Sequence, residues 1–274
     1  MNQGITTERF QMIPLLCFVL FVIALLSGCA LAPTKTATVE ATTDRQSKAS
    51  YQQETNNHTD PKTLVLPGII ANLETRTVTI SGQVCWELSD VCDWLELLAC
   101  NPNTREYESL VVTDALPSHL HLALVSIGLK PGKPQKLIRE EDGWKVYPAT
   151  GDRVEIELTY TDPKSGEFVR IPASEWIIGR TDKQIICSRQ WVFAGSAFAE
   201  DLDGQPRYMA DENGTFISLV SFGDDVISSE DGPSSANDGQ TLQPNIALIP
   251  PRGTPVNIVL RPAEKVSQTA KIAK

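Results

Sequence analysis

Apolar side chains fill positions 12–26 without a single charge, while positions 30–62 show no apolar period at all. Beyond them the pattern becomes short and alternating. Thr63-Leu64-Val65-Leu66 and Thr77-Val78-Thr79-Ile80 gather β-branched residues between turn signals and read as strands. Residues 94–100 and 109–113 predict two more apolar strands, the first ending at Asn101-Pro102-Asn103. Val154, Ile156, Leu158 and Tyr160 share one face of an alternating run. With the turn Asp162-Pro163-Lys164-Ser165-Gly166 and a return at 168–171, that run predicts a hairpin. Further strands are expected at 185–193 and 255–260, and residues 207–210 and 215–220 are expected to pair across a tight turn at Asn213-Gly214. The clearest helical stripe is Leu120, Ala123, Leu124 and Ile127, with Pro117 in the first turn and Gly128 and Pro131-Gly132 as stops. Residues 228–240, rich in Ser, Asp and Gly, read as a long surface loop. The expected fold class is therefore α+β: a β-rich domain of mainly antiparallel strands with one clear helix at about 117–128.

The apolar run has the length of an export signal and follows Glu8 and Arg9. It closes on Leu26-Ser27-Gly28-Cys29, which resembles the lipobox of bacterial lipoproteins. The resemblance implies diacylation of the Cys29 sulfur, removal of residues 1–28 and acylation of the new N-terminus. The alternative is an uncleaved membrane helix running on through Ala30 and Leu31; under either reading the rest of the chain works outside the cytoplasm. Ala30, where an Asp would retain a lipoprotein at the inner membrane under a common two-membrane sorting rule, points to the outer membrane, facing the periplasm. Buried acyl chains at about 0.8 kcal/mol per CH₂ make such an anchor effectively permanent. The expected organisation is a signal peptide (1–28), a lipidated N-terminus with a disordered tether (29–62), a folded domain (63–262) and a loose tail (263–274). Treated as a flexible coil, the tether has a root-mean-square reach of roughly 30 Å. His58 lies in it and reads as solvated.

Charge narrows the partners. The net charge is −10. Lys35, Arg45, Lys48 and Lys62 cancel Glu40, Asp44, Glu54 and Asp60, so the excess sits on the body after Thr63. Such a body has no electrostatic footprint for phosphate backbones, so nucleic acid is not an expected partner. The expected attachments are the membrane, through the lipid on Cys29, and an envelope protein or polymer.

Once Cys17 leaves with the signal and Cys29 takes the lipid, Cys85, Cys92, Cys100 and Cys187 remain. In an oxidising compartment an even number favours disulfides, and four cysteines allow three pairings. Cys85 and Cys92 flank a short polar turn, so a loop-closing bridge between them is geometrically easy. Cys100 and Cys187 then pair or stay as buried thiols.

Several segments, taken in order, resemble the YdjY-domain family of bacterial proteins. They are Gly82-Gln83-Val84-Cys85, residues 96–100, Glu108-Ser109-Leu110, Pro117-Ser118-His119-Leu120-His121 with Ala123-Leu124, Gly128-Leu129 with Pro131-Gly132, Ser221-Phe222-Gly223-Asp224-Asp225-Val226 and Gly253-Thr254-Pro255-Val256. The likeness runs from about Leu64 to Pro262. It classifies the domain and implies no activity. Many members place a His between two glutamates where this chain has Glu106-Tyr107-Glu108, so any shared metal or acid–base role of that imidazole is in doubt here.

The body's own chemistry is sparse. His119 and His121, its only histidines, would stand about 200° apart on a helix. On an extended stretch they could join Glu108 or Cys100 in a transition-metal site, but no spacing matches a zinc signature. A thiol–disulfide enzyme would announce itself by Cys-x-x-Cys at a helix start, and a serine hydrolase by Gly-x-Ser-x-Gly; neither is present. Asp201-Leu202-Asp203-Gly204 and Asp211-Glu212-Asn213-Gly214 echo calcium loops without the full register and read as turns. Asp224-Asp225 and Glu230-Asp231 read as a solvated loop. The sequence thus supports a tethered binding or structural module with no cofactor. The alternative is a metal-binding or redox protein using His119, His121, Glu108 and a cysteine.

Overall fold

The computed structural model describes residues 62–87, 93–185, 190–230 and 241–264, all within the compact unit Asn57–Lys274. The apolar run at 12–26, Cys29, the tether with His58, Cys92, Cys187, residues 231–240 and the tail beyond 264 lie outside the described residues.

Eleven strands make one sheet. They are β1 (Thr63–Leu66), β2 (Ile69–Asn72), β3 (Thr77–Val84), β4 (Leu97–Cys100), β5 (Ser109–Val112) and β6 (Arg153–Thr161). Then come β7 (Phe168–Pro172), β8 (Trp191–Phe193), β9 (Thr215–Ser218), β10 (Ile227–Ser229) and β11 (Pro255–Pro262). Eight of these close into a barrel in the order β3-β11-β6-β8-β10-β9-β4-β5, with β5 returning to β3. Two of the pairings, β4 with β5 and β9 with β10, are parallel, so the barrel is mixed.

Closure depends on two long strands that change partner along one edge. β3 gives residues 77–80 to β2 and then Gln83 and Val84 to β5. Gly82 stands just before the second pairing, where a Cβ would lie 2.7 Å from the Val112 carbonyl oxygen. β6 gives Arg153 and Val154 to β8, then residues 157–161 to β7 in the expected hairpin. The opposite edge of each faces β11. Alternation then stacks Val78, Leu260 and Ile156 in one buried row and Ile80, Ile258 and Leu158 in the next. Each such side chain contributes about 1.5–3 kcal/mol on leaving water.

The predicted helix is α1 (Pro117–Ser126), with Pro at its start and no side-chain N-cap of its own. The Asp211 carboxylate supplies that cap from elsewhere, accepting from the Ser118 N–H at 2.8 Å. Leu120, Ala123, Leu124 and Ile127 are all buried, against β1, β2 and β9. Gly128, at φ +86°, ends the helix.

Three expectations are corrected. Residues 207–220 do not form a hairpin: Pro206–Tyr208 pairs with Phe198–Glu200, and Met209–Asn213 is a short helix, α2. Gly214 at φ +69° is its left-handed cap, donating to the Ala210 carbonyl. A Gly after Asn serves a helix end as well as a primed turn, and the pairing of Pro206–Tyr208 with Phe198–Glu200 takes the first of these strands away from residues 215–220. Second, of the strand expected at 185–193, Trp191–Phe193 joins the barrel and Ile185 makes only an isolated bridge to Ile178. Third, Ser228 and Ser229 are not loop but buried barrel strand.

Candidate functional site

Parallel β4 and β5 require the chain between them to run back along the sheet, and this return segment builds the candidate site. Asn101 pins its start by donating to the carbonyls of Thr113 and Ala115, each at 2.7 Å. Thr104 Oγ1 donates to the Asn101 carbonyl at 2.7 Å, and the Glu106 carboxylate accepts from the N–H groups of Asn103 and Thr104. The segment ends in a 3-10 turn, Glu106–Glu108.

That turn places three charged groups together. Arg105 Nη1 donates to Glu108 Oε1 at 3.1 Å, and the Arg105 guanidinium sits 4.1 Å from the centre of the Phe222 ring. Glu108 is buried. Its carbonyl accepts from the Glu96 N–H at 3.0 Å. Burial first, and the Glu108 charge second, raise the Glu96 carboxyl, while Arg105 opposes them.

Beneath the same turn lie two free, buried thiols, Cys85 and Cys100. They flank β5: the Cys85 N–H donates to the Leu110 carbonyl, and Cys100 is in register with Val112. Cys85 Sγ lies 3.3 Å from the Ser109 carbonyl oxygen and 3.8 Å from that of Glu106. The two thiols share a hydrogen bond, which lowers Cys100 and raises Cys85. Burial opposes the lowering at Cys100, and contacts from the Ser109 and Thr104 hydroxyls and the Arg105 backbone assist it. Burial adds to the rise at Cys85. Cys100 is therefore the member of the pair more prone to ionise, and Cys85 stays a thiol that donates to the Ser109 carbonyl.

The structure brings together only part of the expected set. Cys85, Cys100 and Glu108 meet at this turn, while Cys92 and Cys187 lie outside the described residues. Tyr107 is exposed. His119 and His121 lie on α1, apart from one another's face. His119 Nδ1 is buried and makes no hydrogen bond. His121 Nδ1 is 2.9 Å from the Tyr208 hydroxyl, which reaches the Gly195 carbonyl at 3.2 Å. Its ring packs edge-on against Phe193 and Tyr208. Burial lowers the His121 imidazole, partly offset by the Gly195 carbonyl. Among the described residues no group of three or more His, Cys, Asp or Glu side chains could hold a metal ion. His119, His121 and Glu108 are thus not gathered into a metal centre.

Residue reasoning missed Glu96 and Arg105. The available signal was the order of short segments, since residues 96–100 and Glu108-Ser109-Leu110 are the two strands that flank the return segment.

A family model described as the YdjY domain matches residues 69–261. No curated protein and no solved structure matches the chain.

Proposed function

The chain belongs to the YdjY-domain family, and from that premise we propose that it is a lipid-anchored module of the cell envelope that acts by binding another envelope component. The anchor is Cys29, in the outer membrane and facing the periplasm. Its support is the order of features in the sequence: an apolar run, then Leu26-Ser27-Gly28-Cys29, then a polar tether. The observation that carries the binding reading is a hairpin. Lys136–Glu140 and Gly143–Tyr147 pair with each other and with no other described strand. A two-stranded hairpin is marginal in water by itself. This one nevertheless presents Trp144, 67% exposed, and Val146 on one face and Ile138 on the other. A thin element with apolar side chains exposed on both faces gains from a partner that covers them. A photo-crosslinking residue placed at Trp144 in intact cells is expected to give a discrete adduct with an envelope protein or polymer. An adduct pattern no different from that of the same residue at Gly166, on a remote turn, would overturn the reading.

A second reading, thiol redox chemistry, is favoured by the Cys85–Cys100 contact. Cys100 would serve as the nucleophile and Cys85 as the resolving thiol, with no histidine involved. Acid-trapped thiol mapping on protein from the oxidising compartment tests it: a reversible Cys85–Cys100 disulfide supports it, and two thiols that stay reduced in oxidised glutathione refute it.

A further inference from the structure

Ser221-Phe222-Gly223-Asp224-Asp225-Val226 reads in the sequence as solvated, yet the structure buries it. Asp225 is 0% exposed and Asp224 8%. Asp225 Oδ2 accepts from the hydroxyls of Ser221 and Ser228 at 2.8 and 2.9 Å, and Oδ1 from the Phe222 N–H at 3.3 Å. Asp224 Oδ2 accepts from the Asn213 side-chain amide. Among the described residues, no Lys, Arg or His forms an ion pair with either carboxylate. Adjacent carboxylates buried without a counter-charge are costly, because neither water nor a cation offsets them.

Two oxygens at these carboxylates have nothing to bind: Asp224 Oδ1 and Ser218 Oγ are buried and make no hydrogen bond. Ser218 is 0% exposed and lies beside the Asp225 carboxyl. The Ser221 and Ser228 hydroxyls spend their hydrogens on Asp225; Ser221 Oγ also accepts from the Gly223 N–H at 3.3 Å, and each oxygen keeps a lone pair free. The missing charge and the missing partners have one common solution.

We propose that Asp224, Asp225 and the surrounding Ser218, Ser221 and Ser228 hydroxyls bind a hard cation, Ca²⁺, that locks the loop between β9 and β10. The donors are all oxygen, which suits Ca²⁺ and not zinc or copper. Two carboxylates match its charge, and neutral oxygens supply the rest of a shell that commonly takes 6–8 ligands. The position explains what the ion would stabilise. Ser196 N–H donates to the Asp225 carbonyl at 2.8 Å and Gly195 N–H to that of Val226 at 2.9 Å, so the loop buttresses the segment that also receives His121 and Tyr208.

The test uses the full-length protein in detergent, stripped with EGTA and dialysed against CaCl₂, MgCl₂ or NaCl. The proposal expects one retained calcium per chain by mass spectrometry and a rise in Tm of about 5–10 °C in calcium alone. Asp224→Asn should lose both. If that variant does not fold, Ser218→Ala, which removes one ligand and no charge, should bind calcium at least tenfold more weakly. No retained calcium in the wild type, an equal rise in magnesium or sodium, or undiminished binding in the variants would each overturn it.

Discussion

Burial disfavours the cationic form of His121, whose Nδ1 lies 2.9 Å from the Tyr208 hydroxyl. A histidine lowered in this way contributes fully above its unfolded value of about 6.5 and loses that contribution as pH falls from there toward its folded value. Urea denaturation between pH 7.5 and 5 is expected to show wild-type stability falling, with a slope of at most about 1.4 kcal/mol per pH unit from this group. In His121→Gln that component should be absent. Glu96 has the opposite sense: its raised carboxyl favours the protonated form, so its contribution is present at low pH and lost as pH rises through its folded value. Glu96→Gln should therefore be stabilised relative to wild type at pH 7 and lose that advantage near pH 4, as read by thermal melting. Neither contact was legible in the sequence, because Tyr208 and Glu108 are reached through tertiary folding. The approach of Cys85 to Cys100 has the same origin: the order of strands around β5 brings them together, which spacing along the chain does not display.

At the scale of elements, the periodic segments were read well and the turns were not. The stripe of α1 and the alternation of β6 follow from burial on one face, which a sequence displays directly. Asn213-Gly214 fits two backbone geometries, and only the neighbours of Tyr208 decide between them. Leu120→Ala, on the buried side of α1, is expected to cost about 2–5 kcal/mol by urea titration, and Leu122→Ala, on its exposed side, less than about 0.5 kcal/mol. Gly82 stands in the segment Gly82-Gln83-Val84-Cys85, and the reason for a glycine there is visible only in the closed barrel. Gly82→Val should destabilise by about 3 kcal/mol, since its Cβ meets the Val112 carbonyl and the Val111 side chain.

At the scale of the molecule, β11 seals a barrel that begins with β3, so residues 77–84 await residues 255–262 before the core is complete. A chain ending at Gly253 is expected to lose cooperative unfolding altogether, not merely some stability. Barrel closure could not be foreseen from strands counted one by one, although a β-rich body with one main helix could. The proposed anchor belongs to this scale too, because a lipid on Cys29 would decide where the barrel works and which partners it meets. The most direct test is the intact mass of the protein purified from membranes. The account predicts a chain that begins at Cys29 and carries a diacylglyceryl group and an N-acyl chain. A chain that retains residues 1–28, or begins at Cys29 without lipid, would contradict it.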